Sequence, residues 1–245
     1  MIKKSGFLPP VTQLYDIHTR VYDSSNLQKT EHTVEITNED TFLAANRCLL
    51  EGYHPVVLNM CSNYNPGGGF LNGARAQEEE LCRRSNLYPS LIAQKGKYPL
   101  NLNCLYTPDV TVFRGHRYEP ITPFKVGVIS AAAQRHPIIT KNGQLEPRVR
   151  ESVRLCIQHM FDVAMKNGHD CFIGSAWGCG AYGNPPYDIA TLFKEVLESN
   201  KYRNTFKKVV FAIIDYGTHN GEIFESVLGG TSGSHLPLAR TKIGQ

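Results

Sequence analysis

The stretch GGGFLNGARAQEEE at residues 67–80 sets Gly67, Gly68 and Gly69 seven residues ahead of Gln77 and three glutamates, Glu78, Glu79 and Glu80. Carboxylates are general acids and bases, and a helix N-terminus favours them as plain charge complements too. Successive residues on a helix diverge by about 100°. At most two of the three therefore address one bond: Glu78 or Glu79 turns into a crevice and Glu80 elsewhere. Ordinary glycosidases set their two carboxylates on opposite sides of the scissile bond, roughly 5 Å or more apart. Neighbours on one helical turn cannot straddle a sugar in that way. One glutamate serving first as acid and then as base, with its neighbour holding the substrate, fits the spacing better. Such a group needs a raised pKa, which burial and a second carboxylate promote and the helix dipole opposes.

A second glycine loop, GCGAYG at 178–183, matches GxGxxG. Its context is wrong for a dinucleotide fold: Asn184, Pro185 and Pro186 interpose before the next helix, and the acids at a suitable distance, Glu195 and Glu198, fall within that helix. No GxxxxGK[ST] occurs either. Glycines let a backbone approach a ligand closely, and unpaired N–H groups in such loops cradle phosphate oxygens. Two such cradles at one crevice suit a diphosphate.

Alternating strands and helices must hold these loops. Thr37 is the expected N-cap of a helix carrying Phe42, Ala45, Cys48 and Leu49, with Gly52 after its end. PVVLNM (55–60) reads as a strand buried on both faces and empties into the first glycine loop. Residues 75–92 read as one helix. VTVF (110–113) and FKVGVIS (124–130) read as strands. Pro147 opens a helix in which Val149, Val153, Cys156, Ile157, Met160, Phe161 and Ala164 recur at helical spacing. CFIGSA (171–176), a helix from Pro186, KVVFAIID (208–215) and a helix around 222–228 complete the series. The fold class expected is α/β, three layers (α/β/α) around a mixed, largely parallel sheet. Ligands in such sheets sit beyond the carboxyl ends of the strands, where both glycine loops emerge.

With 245 residues, 41% hydrophobic and 20% charged, the chain fits a single globular domain, residues 1–32 forming an N-terminal extension packed on it. No stretch nears the ~20 apolar residues of a membrane span, and MIKKSGFLPP has no apolar run behind its lysines, so no secretory signal is expected. An intracellular, cytoplasmic setting follows, or a nuclear one if the source is eukaryotic. Seven cysteines without a CxxC pair or a Cys/His cluster disfavour disulfides and a structural zinc. No metal and no cofactor are expected. A net charge of +4 with no basic stripe tolerates an anionic ligand but predicts no sequence-specific nucleic-acid binding.

GGG, seven residues, then QEE resembles the signature of the poly(ADP-ribose) glycohydrolases. Over residues 10–230 the segments VVLNMCSNYNPGGGFLNGARAQEEEL, LYTPDVTVFR, VGVISAAA, SAWGCGAYGNPP and VVFAIID are similar, in order, to the compact microbial-type branch of that family, built on the macrodomain fold. The resemblance implies hydrolysis of the ribose–ribose bonds of poly(ADP-ribose), mainly from chain ends, and so reversal of ADP-ribosylation, as in the DNA damage response. It makes Glu79 the catalytic acid and base and Glu78 the holder of the ribose hydroxyls. Asn63 would contact the same ribose; Gly67, Gly68, Gly69 and Gln77 would line the ribose and diphosphate. Gly178, Cys179, Gly180, Ala181, Tyr182, Gly183 and Asn184 would wrap the diphosphate from the other side, Tyr182 standing where the family commonly has phenylalanine. Poly(ADP-ribosyl)ated proteins are the implied partners of a monomer. A non-hydrolytic ADP-ribose-binding macrodomain and a mono-ADP-ribosyl hydrolase are the alternatives.

Overall fold

The computed structural model describes residues 6–19, 33–215, 217–229 and 231–232. Eight strands form one sheet: β1 (Gln13–Tyr15), β2 (Thr33–Thr37), β3 (Pro55–Met60), β4 (Cys104–Arg114), β5 (Pro120–Ala131), β6 (Cys171–Gly174), β7 (Lys208–Ala212) and β8 (Thr231–Ser232), in the order β1-β4-β5-β3-β6-β7-β2-β8. β1, β4 and β5 pair antiparallel; every pairing from β5 across to β8 is parallel. The sheet is thus mixed and mostly parallel.

Alternate residues feed opposite faces, as the pleat requires. Val56, Leu58, Phe172, Val209 and Phe211 point into one core, under α4 (Pro147–Lys166), α5 (Pro186–Glu198) and α6 (Asn220–Leu228). Val57, Ile173, Val210 and Ala212 point into the other, under α1 (Thr41–Leu50), α2 (Gln77–Arg84) and α3 (Leu87–Ile92). Strands buried on both faces explain the unbroken apolar runs of the sequence.

Three expectations are corrected. Asp40, not Thr37, caps α1, its Oδ1 accepting from Phe42 N–H at 2.9 Å and Leu43 N–H at 3.0 Å. The helix expected over 75–92 is two, because Ser85 is extended and bridges to Val112 of β4 before α3 begins. β6 and β7 end at Gly174 and Ala212, short of the runs 171–176 and 208–215. Of the extension expected over 1–32, residues 1–5 and 20–32 lie outside the described residues; β1 pairs with β4, and Phe7 stacks on Phe113 at 5.8 Å.

Candidate active site

Three neighbouring parallel strands, β5, β3 and β6, deliver their following loops to one edge of the sheet. The loop after β3 carries the glycines and leads to α2. In the first turn of α2, Glu78 and Glu79 are 3% and 6% exposed, whereas Glu80 turns outward to Arg83 (2.9 Å) and the Tyr118 hydroxyl. The helical divergence that separates Glu80 from its neighbours is therefore realised.

Both buried carboxyls are held by backbone amides of their own approach loop. Glu79 Oε1 accepts from Gly69 N–H at 2.8 Å and Oε2 from Ala76 N–H at 2.9 Å, the latter an N3 side chain reaching back to its helix N-cap. Glu78 Oε2 accepts from Ser62 N–H at 2.7 Å, and Oε1 from Gly67 N–H at 3.1 Å and Asn59 Nδ2 at 3.4 Å. Burial, with the neighbouring Glu79 adding to it, pushes the Glu78 carboxyl up to about 8 against these stabilising bonds, so it carries its proton at neutral pH.

The expectation that the first glycine loop offers its amides to a diphosphate is corrected by these bonds. Gly67 and Gly69 donate to the glutamates and Gly68 N–H to Asn65 O at 2.9 Å, so all three amides are occupied. The absence of side chains serves the carboxyls instead. A Cβ on Gly68 (φ +58) would overlap Glu79 Oε1 and come within 3.0 Å of Glu78 Oε2, and one on Gly67 (φ +75) would lie 2.5 Å from the Tyr88 ring. A single Gly68 methyl would touch both carboxyls, so the two acids sit side by side rather than across a gap.

The loop after β6 has the opposite polarity. Four of its carbonyls are engaged: Ala176 O accepts from Cys179 N–H, Gly178 O from Asn184, Gly180 O from Gly183 N–H and Tyr182 O from His136 N–H. Its amides at Gly178, Gly180, Ala181 and Tyr182 have no acceptor among the described residues. Four neighbouring N–H groups left over, beside carbonyls tied back at Gly178, Gly180 and Tyr182, can make an anion cradle. Burial pushes the Cys179 thiol up to about 12, so this loop brings no anion of its own.

The three loops interlock. Ala131 O, at the end of β5, accepts from Cys61 N–H at 3.3 Å and Trp177 Nε1 at 3.0 Å, and Gln134 O accepts from Asn184 Nδ2 at 2.9 Å. Tyr182 lies against Ser62 and near Glu78, its phenol pushed upward by burial. Among the residues expected to bind, Asn63 is half-buried and its Oδ1 accepts from Asn101 N–H at 2.6 Å. Gln77 is engaged elsewhere: its carboxamide grips Met60 N–H (2.8 Å), Leu58 O (2.7 Å) and Thr41 Oγ1 (3.1 Å). Asn184 is buried within its loop, with Gly180, Ala181 and Gly183 exposed and Gly178, Cys179 and Tyr182 half-buried. Ser62, Asn59 and Tyr88 escape sequence reasoning, since an amide donor, a core asparagine and a ring beneath a glycine carry no periodic mark.

The chain matches the family description "Microbial-type PARG, catalytic domain" over residues 10–115. Its fold is similar to that of a poly(ADP-ribose) glycohydrolase from Thermomonospora curvata, with TM-score 0.82 at 29% identity over 88% of this chain and 85% of that one. The same enzyme bound to the inhibitor ADP-HPD gives 0.79 at 30% identity over 88% and 84%. A poly(ADP-ribose) glycohydrolase from Deinococcus radiodurans in complex with ADP-ribose gives 0.78 at 31% identity over 89% and 94%. No curated protein matches. Likeness at this identity over nearly the whole of both chains, with GGG and QEE joined into one hydrogen-bonded unit, makes the chain a member of the poly(ADP-ribose) glycohydrolase family.

Proposed function

We propose that Glu79 is the acid and base through which this glycohydrolase opens the ribose–ribose O-glycosidic bonds of poly(ADP-ribose), and that it works mainly from chain ends, releasing ADP-ribose. The observation that carries the assignment is the paired burial of Glu78 and Glu79 at the start of α2, fixed by amides of the glycine loop, with Tyr182 of the 178–183 loop beside Ser62 and near Glu78.

Each carboxyl oxygen has two acceptor sites, so amides that fix Glu79 leave it room for a proton on the crevice side. Glu79 gives that proton to the leaving 2′-oxygen as the bond to the anomeric carbon breaks and cationic character grows on the ribose. It then takes a proton from the water that attacks that carbon, and the enzyme returns to its starting state. Glu78, neutral beside it, hydrogen-bonds the ribose hydroxyls. The loop amides of 178–182 hold the diphosphate, whose charge offsets the developing cation. Tyr182 closing against Ser62 supports a site shaped for a terminal unit, with poly(ADP-ribosyl)ated proteins as the polymer's carriers in an intracellular setting.

Purified poly(ADP-ribose) is incubated with the protein and the products are resolved over time. Monomeric ADP-ribose from the first time points is the expected result; oligomers appearing first would overturn exo-cleavage. Glu79→Ala lowers the rate by about 10²–10⁴-fold, the usual worth of a general acid–base, with the melting temperature followed as a check on folding. A folded Glu79→Ala protein turning over at the wild-type rate would remove Glu79 from the mechanism. Mono-ADP-ribosylated protein, run in parallel, separates polymer cleavage from removal of single groups.

A further inference from the structure

We infer that Asn184 is a positioning residue which fastens the second glycine loop in its anion-binding form rather than touching the substrate. The inference rests on the reading that this loop holds the diphosphate.

Asn184 is 2% exposed, although it follows the exposed Gly183 at the loop's end. Its backbone N–H donates to Gly178 O at 3.0 Å, and its Nδ2 donates to the same oxygen at 3.1 Å and to Gln134 O at 2.9 Å. One residue therefore closes the loop on itself, joins it to the segment after β5, and pins the Gly178 carbonyl against its own side chain and backbone. Were that carbonyl free to rotate, its oxygen would meet the diphosphate where an N–H now stands. The His136 N–H to Tyr182 O bond at 2.8 Å is the matching tie on the loop's far side.

Gly178 is shaped to this fastening. Its φ of +77 favours glycine, and a Cβ there would lie 2.6 Å from both Asn184 Nδ2 and Ala133 Cβ. Stability alone is a poor reason for the residue, because Asn184 Oδ1 is buried with no partner, a costly arrangement that a small apolar side chain would avoid. What only the amide offers is two donors aimed at two carbonyls.

The test separates a fastened loop from a merely stable one. Asn184→Ala raises KM for poly(ADP-ribose) and weakens ADP-ribose binding by calorimetry, each by about tenfold, for the loss of two hydrogen bonds that hold the loop. The kcat at saturating polymer changes several-fold less than KM, and adenosine, which lacks the phosphates, loses no affinity. Asn184→Asp, which turns a carboxylate toward two carbonyl oxygens and toward the ligand, binds ADP-ribose more weakly still than Asn184→Ala. Equal ADP-ribose affinity in wild type and Asn184→Ala would overturn the inference, as would parallel losses in kcat, melting temperature and adenosine affinity. Wild-type protein that binds ADP-ribose no better than adenosine would instead overturn the diphosphate reading of the loop.

Discussion

Glu79 depends on a glycine more than on another acid. Gly68 combines a positive φ of +58 with a Cβ position already occupied by the Glu79 carboxyl. Gly68→Ala must therefore displace the Glu79 carboxyl oxygen that accepts from Gly69 N–H, and if Glu79 is the acid and base proposed above, misplacing it by about 1 Å costs on the order of 10²-fold in rate. Gly73, at φ +81 with nothing within 4 Å of its Cβ position, provides the contrast. Gly73→Ala is expected to lose only the backbone cost of left-handed geometry, about 1–2 kcal/mol, and to keep its turnover. Polymer hydrolysis and thermal melts of the two variants check the pair, and equal activity loss in both would contradict the close-approach account. The GGG–QEE spacing was readable as chemistry, but the use made of the glycines was not. Sequence pointed to phosphate, and the fold shows amides turned onto carboxyls, a choice that depends on where α2 lies relative to the loop.

At the scale of the element, α2 is fastened at both ends. Pairing of β3 with β6 stops at Val57, and beyond it the Gln77 carboxamide takes up Leu58 O and Met60 N–H as a neighbouring strand would. Gln77→Ala leaves these two backbone groups unpaired, a loss of about 2–6 kcal/mol, since each unsatisfied buried group costs roughly 1–3 kcal/mol. Urea unfolding is expected to record it, with turnover falling as the helix start loosens; an unchanged midpoint would deny the strand-like role. At the other end Arg84, 3% exposed, pairs with Asp40 at 2.8 Å, the same carboxylate that caps α1, and stacks over Phe42 at 5.5 Å. The helix expected over 75–92 breaks between α2 and α3 because Ser85 and Asn86 bond to β4: Asn86 Oδ1 accepts from Thr111 N–H at 2.8 Å. Helical spacing of apolar residues carries no record of such a strand contact.

At the scale of the whole molecule, buried titrating groups among the described residues set opposing pH trends, Glu78 in one direction and His169, with His159 lowered likewise by burial, in the other. Glu78 rises from 4.5 to about 8 on folding, so its contribution is fully present below pH 4.5 and is lost as pH climbs toward 8. His169, bonded to the Tyr106 hydroxyl at 2.9 Å, falls from 6.5 to about 4 through burial and the adjacent His54, so its contribution is present above pH 6.5 and is lost as pH drops toward 4. The two trends offset each other between about pH 4.5 and 6.5, leaving a net fall in stability from about 6.5 to 8 at up to about 1.4 kcal/mol per pH unit. Chemical denaturation across that range tests it. Glu78→Ala is expected to flatten the decline, and a wild-type curve that rises from 6.5 to 8 would contradict the buried, neutral carboxyl. Among the described residues no helix is long and apolar enough to cross a membrane.

The sequence by itself determined the alternation of strands and helices, the doubly buried sheet and the two glycine loops at strand ends, because apolar period and glycine placement are local properties. It also separated Glu80 from Glu78 and Glu79, since helical divergence needs no tertiary partner. Only the tertiary structure decided which loop offers free amides, that Gln77 and Asn184 hold the backbone together, and that Glu78 is the acid whose charge burial suppresses. Each of those depends on a hydrogen bond or on solvent exclusion between segments distant in the chain, such as Met60 with Gln77 and Gln134 with Asn184, which residue type and spacing do not encode.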